Sequence, residues 1–169
     1  MKVLADSFFF SVILGPVLEE ILFRLWLVYN KINISITIVC FLLWINGLVF
    51  NIYWFDNYKF TTYFILTFIV LFICSLYLFK KYEKVKTFNF WNKNQKTFII
   101  ISCMLFGAAH IGNYTGNNNS IEYYFITFAP QISFGFILCY MRIRIGFGAS
   151  LTTHSLNNFI PLILSAFTC

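Results

Sequence analysis

Five side chains in this sequence are of types that could do chemistry and sit where apolar neighbours give them no ordinary reason to be: Glu19, Glu20, Arg24, His110 and His154. The chain has two histidines, and both belong to this set. A carboxylate can take a proton from water and an imidazole can hold or pass one, so together they could carry out general acid–base hydrolysis. Placing such groups at the depth of a bilayer costs a few kcal/mol at least, roughly. They are therefore expected to face one another rather than their apolar surroundings.

Spacing divides the roles. Glu20 and Arg24 are four apart, lie on one helix face and predict an ion pair that neutralises the buried cation. Glu19 is turned by about 100° from Glu20 and is not the natural partner of Arg24. One carboxylate is then committed to structure and the other is free. Phe106 and His110 repeat the four-residue spacing, with Gly107, Ala108 and Ala109 between them to let a neighbouring helix approach. His154 and Asn158 also share a face, although Asn157 could replace Asn158 if the helix were rotated, and asparagine often bridges helices without catalysis. Gly15 and Pro16 stand one turn before Glu19, where the proline is expected to open the backbone ladder and bend the helix.

The elements that must position these groups are long and apolar. Of 169 residues, 60% are hydrophobic, 22% aromatic and 11% charged, with a mean hydropathy of +0.77. A soluble domain of this size could not hide so much apolar surface. The pattern predicts an all-α polytopic transmembrane bundle of six spans, near residues 7–29, 34–55, 60–79, 97–113, 122–141 and 149–167. The first is too long and too acidic for a signal peptide and is expected to be retained. The net charge of +6 does not indicate a nucleic-acid partner, because the basic residues lie between apolar runs rather than over a solvated face. The five cysteines form neither CxxC nor Cys/His clusters, so no disulfide framework or structural zinc site is indicated.

If the spans alternate in direction, Lys31, the lysines of residues 80–96 (KKYEKVKTFNFWNKNQK), Arg142 and Arg144 collect on one side, which the positive-inside rule assigns to the cytoplasm. Both termini would lie outside. At about 1.5 Å per residue, Glu19 lies about 18 Å from Lys31, His110 about 21 Å from Lys96 and His154 about 15 Å from Arg144. Three helices thus bring a polar group to a similar depth. Residues 113–120 (NYTGNNNS) read as a turn.

Glu19-Glu20-Ile21-Leu22-Phe23-Arg24 is an EExxxR motif, Phe106 to His110 is FxxxH, and His154 to Asn158 is HxxxN. In this order, each on a predicted span, they resemble the CAAX protease and bacteriocin-processing (CPBP, or Abi) family of intramembrane glutamic endopeptidases. The resemblance implies a single protease domain over 1–169, without a cofactor, in a bacterial cytoplasmic membrane. Its substrate would be a membrane-associated peptide or protein, such as a lipidated CAAX-like protein or a bacteriocin leader. Carried over by motif, Glu19 is the catalytic base, His110 helps it hold the water, and His154 with Asn158 steadies the tetrahedral intermediate. Glu20, Arg24 and Phe106 support the site. The chain departs from the family in having Leu25 where glycine is common, and in starting at the EExxxR helix where members carry further helices. It also has an inserted helix pair, about 34–79, and a basic loop, about 80–96.

Other readings of the same residues stay open at this level. Glu19, His110 and His154 are zinc-competent ligands, but no HExxH helix is present and the ligands would come from three separate helices. A non-catalytic immunity protein or membrane scaffold could use the polar cluster to hold its helices together. Buried Glu and His also relay protons in transporters, although no paired broken helices in two related halves are found.

Overall fold

The computed structural model describes residues 8–50, 58–81, 84–111 and 121–168, and the predicted turn at 113–120 lies outside them. The described residues form seven α-helices and no strand. The helices are α1 (Gly15–Phe23), α2 (Lys31–Phe50), α3 (Tyr58–Lys81), α4 (Lys84–Lys93), α5 (Gln95–Ala109), α6 (Ile121–Arg144) and α7 (Phe147–Thr168). The chain divides into two compact units, one of residues 1–27 and 95–169 and the other of residues 28–94.

In the second unit α2 packs on α3. Residues 84–93, expected as loop, are helical, and α4 is held to the start of the unit by Tyr29, whose hydroxyl lies 2.8 Å from Thr87 Oγ1. The Tyr29 ring also contacts Phe88 and Trp91.

The first unit carries Glu19, Glu20, Arg24, Phe106, His110, His154 and Asn158. Its α6 packs on α5 and α7, while α1 lies against α5 and α7. Leu27, Cys103 and Cys139 form a small buried core with Trp26, Phe98, Ile99, Ile132 and Ile143 around it.

The expected first span, 7–29, is not one continuous helix. It runs as a π-helical turn, Phe9–Leu14, then α1, then a 3-10 turn, Leu25–Leu27. Pro16 has no N–H and cannot continue the α ladder, and the chain widens just before it. The Gly15 N–H accordingly reaches back five residues, to the Phe10 carbonyl. At the other end α1 stops where Arg24 turns inward. Three carbonyls there accept from side chains: Ser102 Oγ donates to Phe23 O, and Arg142 donates to Arg24 O at 3.3 Å and Leu25 O at 3.1 Å. Arg142, read from sequence as a topology marker, is thus buried and serves as a helix cap.

No helix among the described residues is long and apolar enough to cross a membrane. The distribution of side chains is nonetheless inverted relative to a protein made for water. Glu20 and Arg24 have no solvent exposure, whereas Ile137, Tyr140, Ile160 and Leu164 are each more than half exposed.

Candidate active site

Glu20 lies inside a closed set of partners. Its Oε1 is 2.8 Å from Arg24 Nη1 and 3.0 Å from His154 Nδ1, and its Oε2 accepts from the Ser150 hydroxyl. The i,i+4 spacing on α1 produces the first contact, and α7 supplies the other two from Ser150 and His154, which are themselves four apart. The Arg24 guanidinium stacks over the Phe106 ring at 4.0 Å, a favourable place for a buried cation whose Nε and Nη2 find no hydrogen-bond partner among the described residues.

Glu19, one residue earlier, points elsewhere. Its Oε2 lies 3.5 Å from His110 Nε2 and 3.4 Å from His154 Nε2. Both separations exceed the usual N–H···O distance of about 2.9 Å, and this oxygen is buried without a hydrogen-bond partner.

The outer nitrogens of both imidazoles are already occupied. His110 sits just past the end of α5, where its backbone N–H bonds Gly107 O rather than Phe106 O. The Phe106 carbonyl so released lies 2.8 Å from the ring Nδ1 of the same histidine. A carbonyl only accepts, so His110 Nδ1 carries the hydrogen. The Arg24-paired carboxylate of Glu20 also only accepts, so His154 Nδ1 carries one as well. In their neutral forms both rings therefore turn a bare Nε2 lone pair toward Glu19 Oε2. Three acceptors from three segments meet with no donor between them, which suits a water molecule, the simplest species with two hydrogens to give.

Aromatic rings hold this arrangement. Phe106 packs against His110 at 4.5 Å and against the edge of His154 at 5.6 Å, and Phe134 meets His154 at 5.8 Å. A pocket of about 380 Å³ opens over the site, lined by Glu19, His110 and His154 together with Ser11, Gln131, Phe134, Asn157 and Asn158 among others. Asn158 is at the pocket, but its Nδ2 donates to Ser11 O at 3.0 Å, so part of its hydrogen-bonding capacity is spent within the protein.

Spacing did not single out Ser150, Phe134, Gln131 or Ser102. Ser150 could have been found by continuing the His154 face back one turn. Gln131, Phe134 and Ser102 are ordinary residues of apolar helices, and only assembly of the bundle gives them a place. Among the described residues no group of three or more His, Cys, Asp or Glu side chains is arranged to hold a metal ion.

Compared with known families, residues 72–160 match the Rce1-like family, described as type II CAAX prenyl endopeptidase Rce1-like. Neither the comparison with curated proteins nor that with solved structures gave a match. The matched stretch contains Phe106, His110, His154 and Asn158, while Glu19, Glu20 and Arg24 lie before it and are joined to it by the contacts described above. Since the match covers more than half of the chain, the protein belongs to the Rce1-like family, a membrane-embedded family of CAAX-type endopeptidases.

Proposed function

We propose that this chain is an intramembrane endopeptidase that hydrolyses a peptide bond of a membrane-associated substrate with a water activated by Glu19. The convergence of Glu19 Oε2, His110 Nε2 and His154 Nε2 carries the proposal, because three acceptors without a donor are what a nucleophilic water needs. Water held there gives its hydrogens to two of the three. As its oxygen bonds to the scissile carbonyl carbon, Glu19 takes the proton and the carbonyl electrons move onto oxygen. Collapse of that intermediate breaks the C–N bond, and the proton on Glu19 passes to the departing amine.

His154 is assigned a different part from a neutral oxyanion donor. Its Nδ1–H is engaged by Glu20, so its Nε2 can donate only after gaining a proton, and Glu20 is then the counter-charge beside the imidazolium. Asn158, with an amide on the pocket wall, is assigned to the oxyanion. Phe106, Arg24 and Ser150 hold Glu20 and the rings in place.

Several observations support a bilayer setting. Glu20, Arg24 and His154 are buried while many large apolar side chains are exposed, and the family is membrane-embedded. In this reading the six apolar segments cross the bilayer of a bacterial cell, with the lysine-rich 80–96 stretch on the cytoplasmic side. The substrate is a lipidated CAAX-like protein or a peptide with a leader, and no nucleic acid is involved.

A zinc-dependent mechanism is the second reading, because Glu19, His110 and His154 have the donor chemistry zinc prefers. Elemental analysis of purified protein, with cleavage measured after chelation, separates the two readings: metal-free protein that still cleaves excludes zinc. The main test compares cells carrying wild-type protein or Glu19→Gln by proteomics of their membranes. A membrane-anchored peptide that accumulates uncut only in the variant is expected, and identical peptide profiles would remove the proteolytic reading in favour of an immunity or scaffold role.

A further inference from the structure

The π-helical turn ahead of α1 leaves the Ser11 backbone carbonyl without its regular partner along its own chain. In a regular α-helix Ser11 O would receive the N–H of residue 15, but Gly15 bonds Phe10 O instead. In a π register its donor would be residue 16, and Pro16 has no N–H. Ser11 O is thus stranded for two independent reasons. The group that reaches it is Asn158 Nδ2, 3.0 Å away on α7 and 147 residues later in the sequence. A carbonyl must meet a donor, which fixes the orientation of the Asn158 carboxamide. The adjacent Phe8 and Phe159 rings, 5.7 Å apart and edge to face, close the same junction.

Gly15 is needed for this geometry. A Cβ there would lie 2.9 Å from Phe10 O, a backbone atom that cannot swing aside. The turn contributes Phe10, Ser11 and Gly15 to the same pocket wall as Glu19, His110, His154 and Asn158.

We propose that Gly15 and Pro16 are positioning residues: they strand the Ser11 carbonyl so that it grips one N–H of Asn158 and aims the other at the oxyanion position of the pocket. This rests on the peptidase reading above. It explains why a helix-disrupting Gly-Pro pair stands one turn before the catalytic glutamate, and it makes Asn158 a preset donor rather than a freely rotating one. Pro16→Ala restores an N–H that competes for Ser11 O and lets the turn relax toward a regular helix.

The test has one arm that needs no substrate. In ¹⁵N-labelled protein in detergent micelles, the side-chain amide pair of Asn158, identified by its loss in Asn158→Ala, should resonate away from the position of free carboxamides. It should move toward that position in Pro16→Ala and in Gly15→Ala, with Glu19→Gln as the unaffected control. A wild-type signal already at the free position, or one unmoved in both variants, overturns the proposal whatever the activity.

The second arm follows cleavage of a quenched farnesylated CAAX peptide. Asn158→Ala should lower kcat on the order of 10²-fold. Pro16→Ala should lower it about tenfold with KM unchanged, and the double variant should be no slower than Asn158→Ala alone. Additive losses would refute the coupling. A Glu19→Gln variant that cleaves as fast as wild type refutes the peptidase reading instead and leaves the spectroscopic arm to decide the positioning.

Discussion

Glu19 and Glu20 are neighbours in the chain, yet they head two regions of the first unit with opposite properties. Around Glu20 every carboxylate contact is filled: Arg24 and His154 meet one oxygen and Ser150 the other, in a place with no solvent exposure. Around Glu19 an oxygen is buried with no partner, two imidazole lone pairs face it and a pocket opens beside it. A saturated carboxylate is held in place, and an unsaturated one has capacity left for a reactant. His154 belongs to both regions, with Nδ1 in the first and Nε2 in the second. The lesson is that the saturated side orients the ring which the unsaturated side uses.

That contrast can be broken in order of effect. Glu19→Gln should slow cleavage of a farnesylated peptide by up to about 10⁴-fold while the melting temperature in detergent stays within a degree or two. A large drop in melting would show that Glu19 is structural after all. Arg24→Ala should do the reverse and destabilise the fold by about 3–5 kcal/mol, because Glu20 is left buried without its cation. Chemical denaturation in mixed micelles reads this directly, and a variant as stable as wild type would mean that the saturated region is not what holds the bundle. Ser150→Ala removes one donor to the same carboxylate and should cost about 1.5–3 kcal/mol, measured in the same way. The smallest effect is expected for Thr152→Ala, on the exposed side of α7, where the hydroxyl bonds only Gly148 O of its own helix. Its stability should change by less than about 0.5 kcal/mol, which calibrates the other three.

Local geometry made part of this legible in advance. The Glu20–Arg24 pair, the separate heading of Glu19 and the shared face of Phe106 and His110 all follow from helical periodicity, which acts over one turn and needs no partner helix. The all-α character follows from long apolar runs. Less legible were the break-up of the first span and the fate of its carbonyls. Pro16 announces a disturbance, but that Asn158 of α7 would meet the Ser11 carbonyl it strands is not written in the local spacing. The end of α1 likewise depends on Ser102 and Arg142, which come from 79 and 118 residues further along the chain. Arg142 had looked like a simple charge marker, since burial is not a property of a residue type.

Sequence alone thus determined which groups could be reactive, which two were bound to pair and what kind of element would carry them, because these are matters of residue chemistry and of spacing within a turn. Tertiary structure decided which nitrogen of each imidazole is occupied, which carboxylate oxygen is left bare and which carbonyl Asn158 grips. Apart from the contact of His110 Nδ1 with Phe106 O in its own helix, those outcomes require helices distant in sequence to come within about 3 Å of one another, and no local periodicity encodes such a meeting.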